Sequence, residues 1–208
     1  MKRDRSRAKE RTRKAILDAA AALLARNPAA TMGEIAEAAK TVRSTVHRHF
    51  AERADLIAAL RAYAEEQLSE AAARARPHEG NGAEVLLRLC QEYFDRSDLL
   101  MGAYGGLTQA EDIESMASTD TDLHRLVERG HSDGSIDRSL SGVWVEQTLW
   151  SLLYAAWLLA TAGKATRHEA LTLFLQSFAK LLSPSDSQAS GVTGHSSRPG
   201  RRSQRTNL

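Results

Sequence analysis

Apolar and polar residues alternate along this chain with a helical period almost throughout, and no segment shows the period-two alternation of a strand. Ile16 to Leu24 is an alanine-rich apolar run that reads as a first helix. Behind it, Thr31 and Glu34 form a T-x-x-E capping box, in which a hydroxyl and a carboxylate satisfy backbone donors left over where a helix begins. The pattern predicts a short helix over about 32–39 with Ile35, Ala36 and Ala39 inward, then a second from near Arg43 whose buried side is Val46 and Phe50. Further helices are predicted at about 53–75, 82–95, 97–104, 109–117, 120–132, 140–162 and 167–182, the last opened by a second box, Thr166–Glu169. Pro77, Gly80 and Gly82 punctuate the end of the long helix, Gly130 and Gly134 close a later one, and Gly102, Gly105 and Gly106 loosen the middle of the chain. The expected fold class is all-α, with an N-terminal three-helix helix-turn-helix unit and a larger helical body.

The outer side of the segment after Arg43 is strongly polar: Arg43, Ser44, Thr45, His47, Arg48 and His49 all fall there. Arginine forks to guanine edges and phosphates, and hydroxyls and imidazoles reach bases or backbone, so this face suits a DNA major groove. Thr31, Lys40 and Arg53 flank it and complete the candidate DNA-contacting set. On the residues alone, an ordinary helical hairpin with a solvated face fits equally well.

The alanine-rich first helix, the T-x-x-E-I-A start at Thr31, the segment Thr45 to Phe50 and the following Arg53 to Leu56 together resemble the N-terminal helix-turn-helix of the TetR family of transcriptional regulators. The resemblance covers about the first 56 residues. It implies a homodimeric, non-enzymatic regulator without a cofactor, a repressor released from a palindromic operator when its body binds a small-molecule effector. By the same analogy, coupling runs through the helix starting near Arg53. The chain departs from the family in three places. Lys40, Thr41 and Val42 stand where the family commonly has Gly-Val-Ser, so the left-handed residue ending the second helix would be a lysine. Ser44 replaces a frequent glycine, and His47 replaces the tyrosine that the resemblance would place against a phosphate. A helical dimeric interaction or ligand-binding protein with weakened or lost sequence-specific DNA binding therefore stays open as the second reading.

Charge sharpens the division. Residues 1–54 carry 13 basic and 6 acidic side chains (net +7), residues 55–183 carry 11 and 19 (net −8), and residues 184–208 carry 4 and 1 (net +3). A basic head on an acidic body is the footprint of a nucleic-acid binder whose other domain stays off the DNA. We therefore divide the chain into a basic arm and DNA-binding head (1–54), an effector-binding and dimerisation body (55–183) and a disordered basic tail (184–208). The leader Lys2 to Lys14, with eight basic residues, is expected to be unstructured until it meets a phosphate backbone.

Cys90 is the only cysteine, so no disulfide can form within one chain, and the protein reads as cytoplasmic. The uncharged run Thr148 to Gly163 has 16 residues, short of the roughly 20 a bilayer span needs. It reads as a buried helix. Leu149, Leu152, Ala156 and Leu159 make one of its stripes, and Leu171, Phe174, Phe178 and Leu182 line the final helix; these eight are the expected seam of a two-fold, four-helix dimer contact. The other stripe contains Trp150, Tyr154 and Trp157. With Leu86, Cys90, Phe94, Met101, Tyr104 and Leu126 it is the expected wall of an apolar small-molecule pocket. Asp120, His124, Glu128 and His131 share a helical stripe, but the H-E-x-x-H spacing that converges on one ion is missing, and a solvated polar face explains them; no metal is expected. No nucleophile elbow, phosphate-cradling glycine loop or C-x-x-C pair supports catalysis.

Overall fold

The computed structural model describes residues 2–105 and 121–184. The helix expected at 109–117 and the tail beyond residue 184 lie outside the described residues. Within them the chain forms α1 (Lys2–Leu24), α2 (Met32–Ala38), α3 (Arg43–His49), α4 (Arg53–Arg74), α5 (Gly82–Asp95), α6 (Ser97–Tyr104), α7 (Thr121–Asp133), α8 (Gly142–Thr161) and α9 (Arg167–Leu182), with no strand among the described residues.

Local chemistry sets the helix starts. At α2, the Thr31 amide donates to Glu34 Oε2 at 2.7 Å and the Glu34 amide to Thr31 Oγ1 at 3.3 Å. The same reciprocal box opens α9 through Thr166 and Glu169. Asn81 and Glu84 form a third at α5, which an N-x-x-E pattern could have revealed. One expectation needs correction at the N-terminus: the leader is helical from Lys2 onward. Arginine, lysine, alanine and glutamate are good helix formers, and the packed second half of α1 supplies a nucleus from which the first half propagates. Ser6 to Arg11 are exposed, so this turn projects as a basic helix.

Two hydrophobic clusters divide the molecule. The first gathers Ile16, Leu17, Ala20 and Leu24 of α1 with Ile35, Val46, Phe50, Leu56, Leu60 and Ala64. The second joins Leu86, Leu89, Tyr93 and Phe94 of α5 to Leu123, Val127, Leu149, Leu153, Phe174 and Phe178. The division falls inside α4, which gives Leu56, Leu60 and Ala64 to the first and Ala71 to the second. Tyr104 packs against both.

Two glycines expected to interrupt the helical pattern serve close packing instead. A Cβ at Gly102 in α6 would collide with the backbone of Ala21 in α1, so glycine is what lets these helices touch. Gly130 lies inside α7 rather than closing it, and a Cβ on Gly82 of α5 would strike its backbone. Gly134, with φ of 76°, is the residue that ends α7. No helix among the described residues is long and apolar enough to cross a membrane.

Candidate nucleic-acid interface and effector body

The α2–α3 unit is closed by its turn. Lys40 adopts φ of 51°, as the missing glycine demands, and the amides of Lys40 and Thr41 return to the carbonyls of Glu37 and Ala36, each at 2.9 Å. This is the paired pattern of a Schellman motif, so lysine holds the left-handed position at the end of α2 with its side chain exposed. Val42 precedes α3 with no side-chain cap. Val46, with no exposed surface, and Phe50 hold α3 against the head core, and Arg13 of α1 lies 5.4 Å over the Phe50 ring. Anchoring one side in this way leaves Arg43, Ser44, His47 and Arg48 exposed and Thr45 half-buried at the margin. Arg43 and His47 are joined: Arg43 Nε donates to His47 Nε2 at 3.2 Å, and His47 Nδ1 lies 3.1 Å from the Ala51 carbonyl oxygen.

Three members of the expected DNA set are engaged elsewhere. His49 is half-buried with its ring 6.2 Å from that of Phe50, and its buried Nδ1 has no hydrogen-bond partner. Burial, and then the cations Lys9, Arg48 and Arg13, hold its pKa below the usual imidazole value. Arg53 donates through one terminal nitrogen to the Ala30 carbonyl and through the other to that of Pro28 at 2.6 Å, locking the start of α4 to the α1–α2 loop. The Thr31 hydroxyl is engaged in its cap. Helical spacing placed His49 on the outer face; its position at the last turn of α3, beside α1, turns it inward. The Arg53 clamp depends on where a distant loop carries its carbonyls, which no local pattern encodes.

In the body, Leu86, Cys90 and Phe94 are fully buried, and Leu126, Met101, Tyr104 and Trp150 pack half-buried against the same core. Burial pushes the Cys90 thiol well above its ordinary range, consistent with an inert side chain. Trp150 stacks on Tyr93 with centroids 5.4 Å apart and planes 10° from parallel, and its indole nitrogen is buried without a partner. Trp157 is 6% exposed and donates its indole N–H to Asp98 Oδ1 at 2.8 Å, tying α8 to α6. Tyr154, by contrast, is 50% exposed and faces outward. A groove of about 310 Å³ between α1 and α4, lined by Arg13, Lys14, Tyr63 and Glu70 among others, contains none of the nine expected pocket residues.

The single chain divides the residues of the expected dimer seam. Leu149, Ala156, Phe174, Phe178 and Leu182 are buried within the single chain, while Leu152, Leu159 and Leu171 are half-buried. Among the described residues of the body, the large apolar side chains that a single chain leaves uncovered are Val143, Trp144, Tyr154 and Leu158 on α8 and Leu173 on α9. Trp144, Gln147, Ser151, Tyr154 and Leu158 follow a seven-residue spacing, a signal visible in the sequence but diluted by its two polar members. Because α8 is apolar nearly all round, periodicity named its stripes without saying which one faces the chain's own core. Of the acidic and histidine stripe on α7, His124 Nε2 lies 3.2 Å from Glu128 Oε1 at the exposed surface, and Asp120 lies outside the described residues. Among the described residues no group of three such side chains could hold a metal ion.

Comparison with known proteins agrees with this architecture. Residues 16–60 match the family described as bacterial regulatory proteins, tetR family. The chain is 33% identical over 172 residues to the HTH-type transcriptional repressor LfrR of Mycolicibacterium smegmatis, spanning 83% of this chain and 90% of that protein. The crystal structure of LfrR from Mycobacterium smegmatis in complex with proflavine superposes with a TM-score of 0.67 at 34% identity, over 84% of this chain and 97% of that one. A Rhodococcus regulator at 16% identity shares the fold, with a TM-score of 0.64 over 83% of this chain and 100% of that one. A head with an anchored, polar recognition helix, a helical body and a 33% identical relative spanning most of the chain establish that this protein belongs to the TetR family of transcriptional regulators.

Proposed function

We propose that this chain is a cytoplasmic, homodimeric repressor whose two heads read the half-sites of a palindromic operator and whose body releases DNA on binding a small molecule. The observation that carries this reading is the outer face of α3, where Arg43, Ser44, Thr45, His47 and Arg48 stand on a helix fixed from behind by Val46 and Phe50. Lys40 flanks that face, and the net +7 of residues 1–54 favours phosphate approach. The projecting basic turn of α1 extends the same surface. Likeness to a named repressor favours repression over activation.

Dimerisation is assigned to the outward face of α8 and α9, centred on Trp144, Tyr154, Leu158 and Leu173, since a two-fold contact duplicates an apolar patch and covers it. For the effector, the LfrR complex with proflavine directs attention to planar aromatic cations. The partly buried Trp150 ring, whose indole nitrogen has no partner, and the net −8 of residues 55–183 suit such a ligand, because cations favour aromatic faces in an acidic setting. Coupling follows the contacts that bridge the two cores: α4 runs through both, and α6 meets α1 at Gly102 and α8 through Asp98 and Trp157. A ligand that shifts α6 or α8 thereby tilts the heads away from the roughly 34–36 Å spacing that successive major grooves demand.

The test begins with selection of bound duplexes from a random pool. Arg43→Ala and Arg48→Ala should each weaken binding to the selected site by about 1–3 kcal/mol and relax preference at one position. Parent-like binding by both variants would remove α3 as the reading element. Proflavine should quench tryptophan fluorescence and weaken operator binding by the same factor by which the operator weakens proflavine binding.

A further inference from the structure

The recognition helix carries a side-chain relay that its family likeness does not assign. Arg43 and His47 are one helical turn apart on the exposed face of α3, the i, i+4 relation in which side chains meet. Arginine has only donors, so the 3.2 Å contact between Arg43 Nε and His47 Nε2 requires the histidine nitrogen to present its lone pair. In a neutral imidazole the proton then sits on Nδ1, where the Ala51 carbonyl oxygen at 3.1 Å accepts it. The ring is therefore fixed by main chain in the turn after α3, rather than by a second mobile side chain.

We propose that His47 is a positioning residue for Arg43, holding its guanidinium so that only the two terminal amino groups face the DNA. With Nε engaged, the side-on use of Nε and one terminal nitrogen is closed. The end-on pair remains, which matches the O6 and N7 acceptors of a guanine in the major groove. Arg43 then enters the groove already oriented, and discrimination at one guanine per half-site depends on the imidazole as well as on the arginine. The inference rests on the assignment of α3 as the DNA-reading helix.

The experiment uses the full-length protein, the duplex it selects from a random pool, and copies in which each guanine in turn is replaced by 7-deazaguanine, which lacks the N7 acceptor. The parent should lose at least about tenfold in affinity at one position per half-site, consistent with the discrimination a bidentate pair supplies. Arg43→Ala should bind modified and unmodified duplexes alike. His47→Phe, which keeps a ring and removes both nitrogens, should lose the same discrimination although Arg43 is present. His47→Gln, which keeps an acceptor within reach of Nε, should restore much of it. If His47→Phe keeps the parent's sensitivity while Arg43→Ala loses it, the positioning role is overturned and the recognition helix stands. Equal loss in His47→Phe and His47→Gln, or a drop that is the same on non-specific DNA, also overturns it. If Arg43→Ala discriminates as the parent does, both the Arg43 assignment and the relay fall.

Discussion

The head and the body solve burial in opposite ways. In the head, small elements close on one another completely: α2 and α3 are seven residues each, and Ile35, Val46 and Phe50 are shut against α1 and the start of α4. Among the described residues of the head, Val42 is the one large apolar side chain left to solvent, at 63% exposure, and the rest of its exposed surface is polar or carries only small side chains such as alanine. The body buries more and also leaves more uncovered, with Trp144 at 57%, Tyr154 at 50% and Leu158 at 46% exposed along one helix. A finished apolar core beneath a charged face suits a phosphate-rich partner; an unfinished apolar face suits another protein surface.

The largest expected effect comes from breaking the head alone. Phe50→Ala removes a ring that is 3% exposed and lies beneath Arg13, and should destabilise the head by about 3–5 kcal/mol. Operator binding should vanish while tryptophan emission, which reports only on α8, melts close to the parent temperature. A single transition that moves both signals together would show that the two cores unfold as one.

The body should respond differently according to which side of α8 and α9 is changed. Trp144→Ala, on the uncovered face, should leave the fold intact and weaken self-association by about 2 kcal/mol or more, as central aromatic anchors do. Phe178→Glu, inside the core, should unfold the body by burying an unpaired carboxylate. Sedimentation with parallel melting separates the two outcomes. Parent-like association of the Trp144 variant would shift the seam elsewhere.

The matched capping boxes allow a direct comparison at smaller scale. Thr31→Ala in the head and Thr166→Ala in the body should each cost about 1 kcal/mol. Backbone hydrogen bonds first, and the threonine hydroxyls second, hold Glu34 and Glu169 below the ordinary carboxylate range. Their folded values lie below the unfolded one, so this contribution is fully present above the unfolded glutamate value of about 4.3 and is lost as pH falls through the depressed folded value. Melting between about pH 6 and pH 3 should therefore show a shallower acid-side decline in either alanine variant than in the parent.

The smallest expected effect sharpens the head itself. Lys40 sits at φ of 51°, where glycine carries no Cβ penalty. Lys40→Gly should stabilise the head by up to about 1 kcal/mol, reduced by the greater freedom glycine has in the unfolded chain. Its operator preference should stay unchanged, because the substitution alters the turn and leaves the α3 face as it was. A change in preferred sequence would instead place the Lys40 side chain at the DNA.

The sequence by itself determined the described helices from α2 onward, the caps at Thr31 and Thr166 and the polar outer face of α3. Those features are local: a capping box closes within four residues, helical periodicity repeats every few, and the conformation at Lys40 follows from a turn that must reverse the chain. Predicted and observed limits of the helices starting at Arg53, Gly82, Ser97 and Arg167 differ by a residue at most. The outer face of α3 was legible for the same reason, since Val46 and Phe50 define its inner side. Only the tertiary structure decided which face of an all-round apolar helix meets its own core, sending Leu149 and Phe178 inward and leaving Trp144 and Leu158 outside. It also turned His49 toward α1, engaged Arg53 on the carbonyls of Pro28 and Ala30, and brought Gly102 against Ala21. Each of those outcomes depends on elements far apart in the chain arriving side by side, and residue spacing within one helix carries no information about its neighbours.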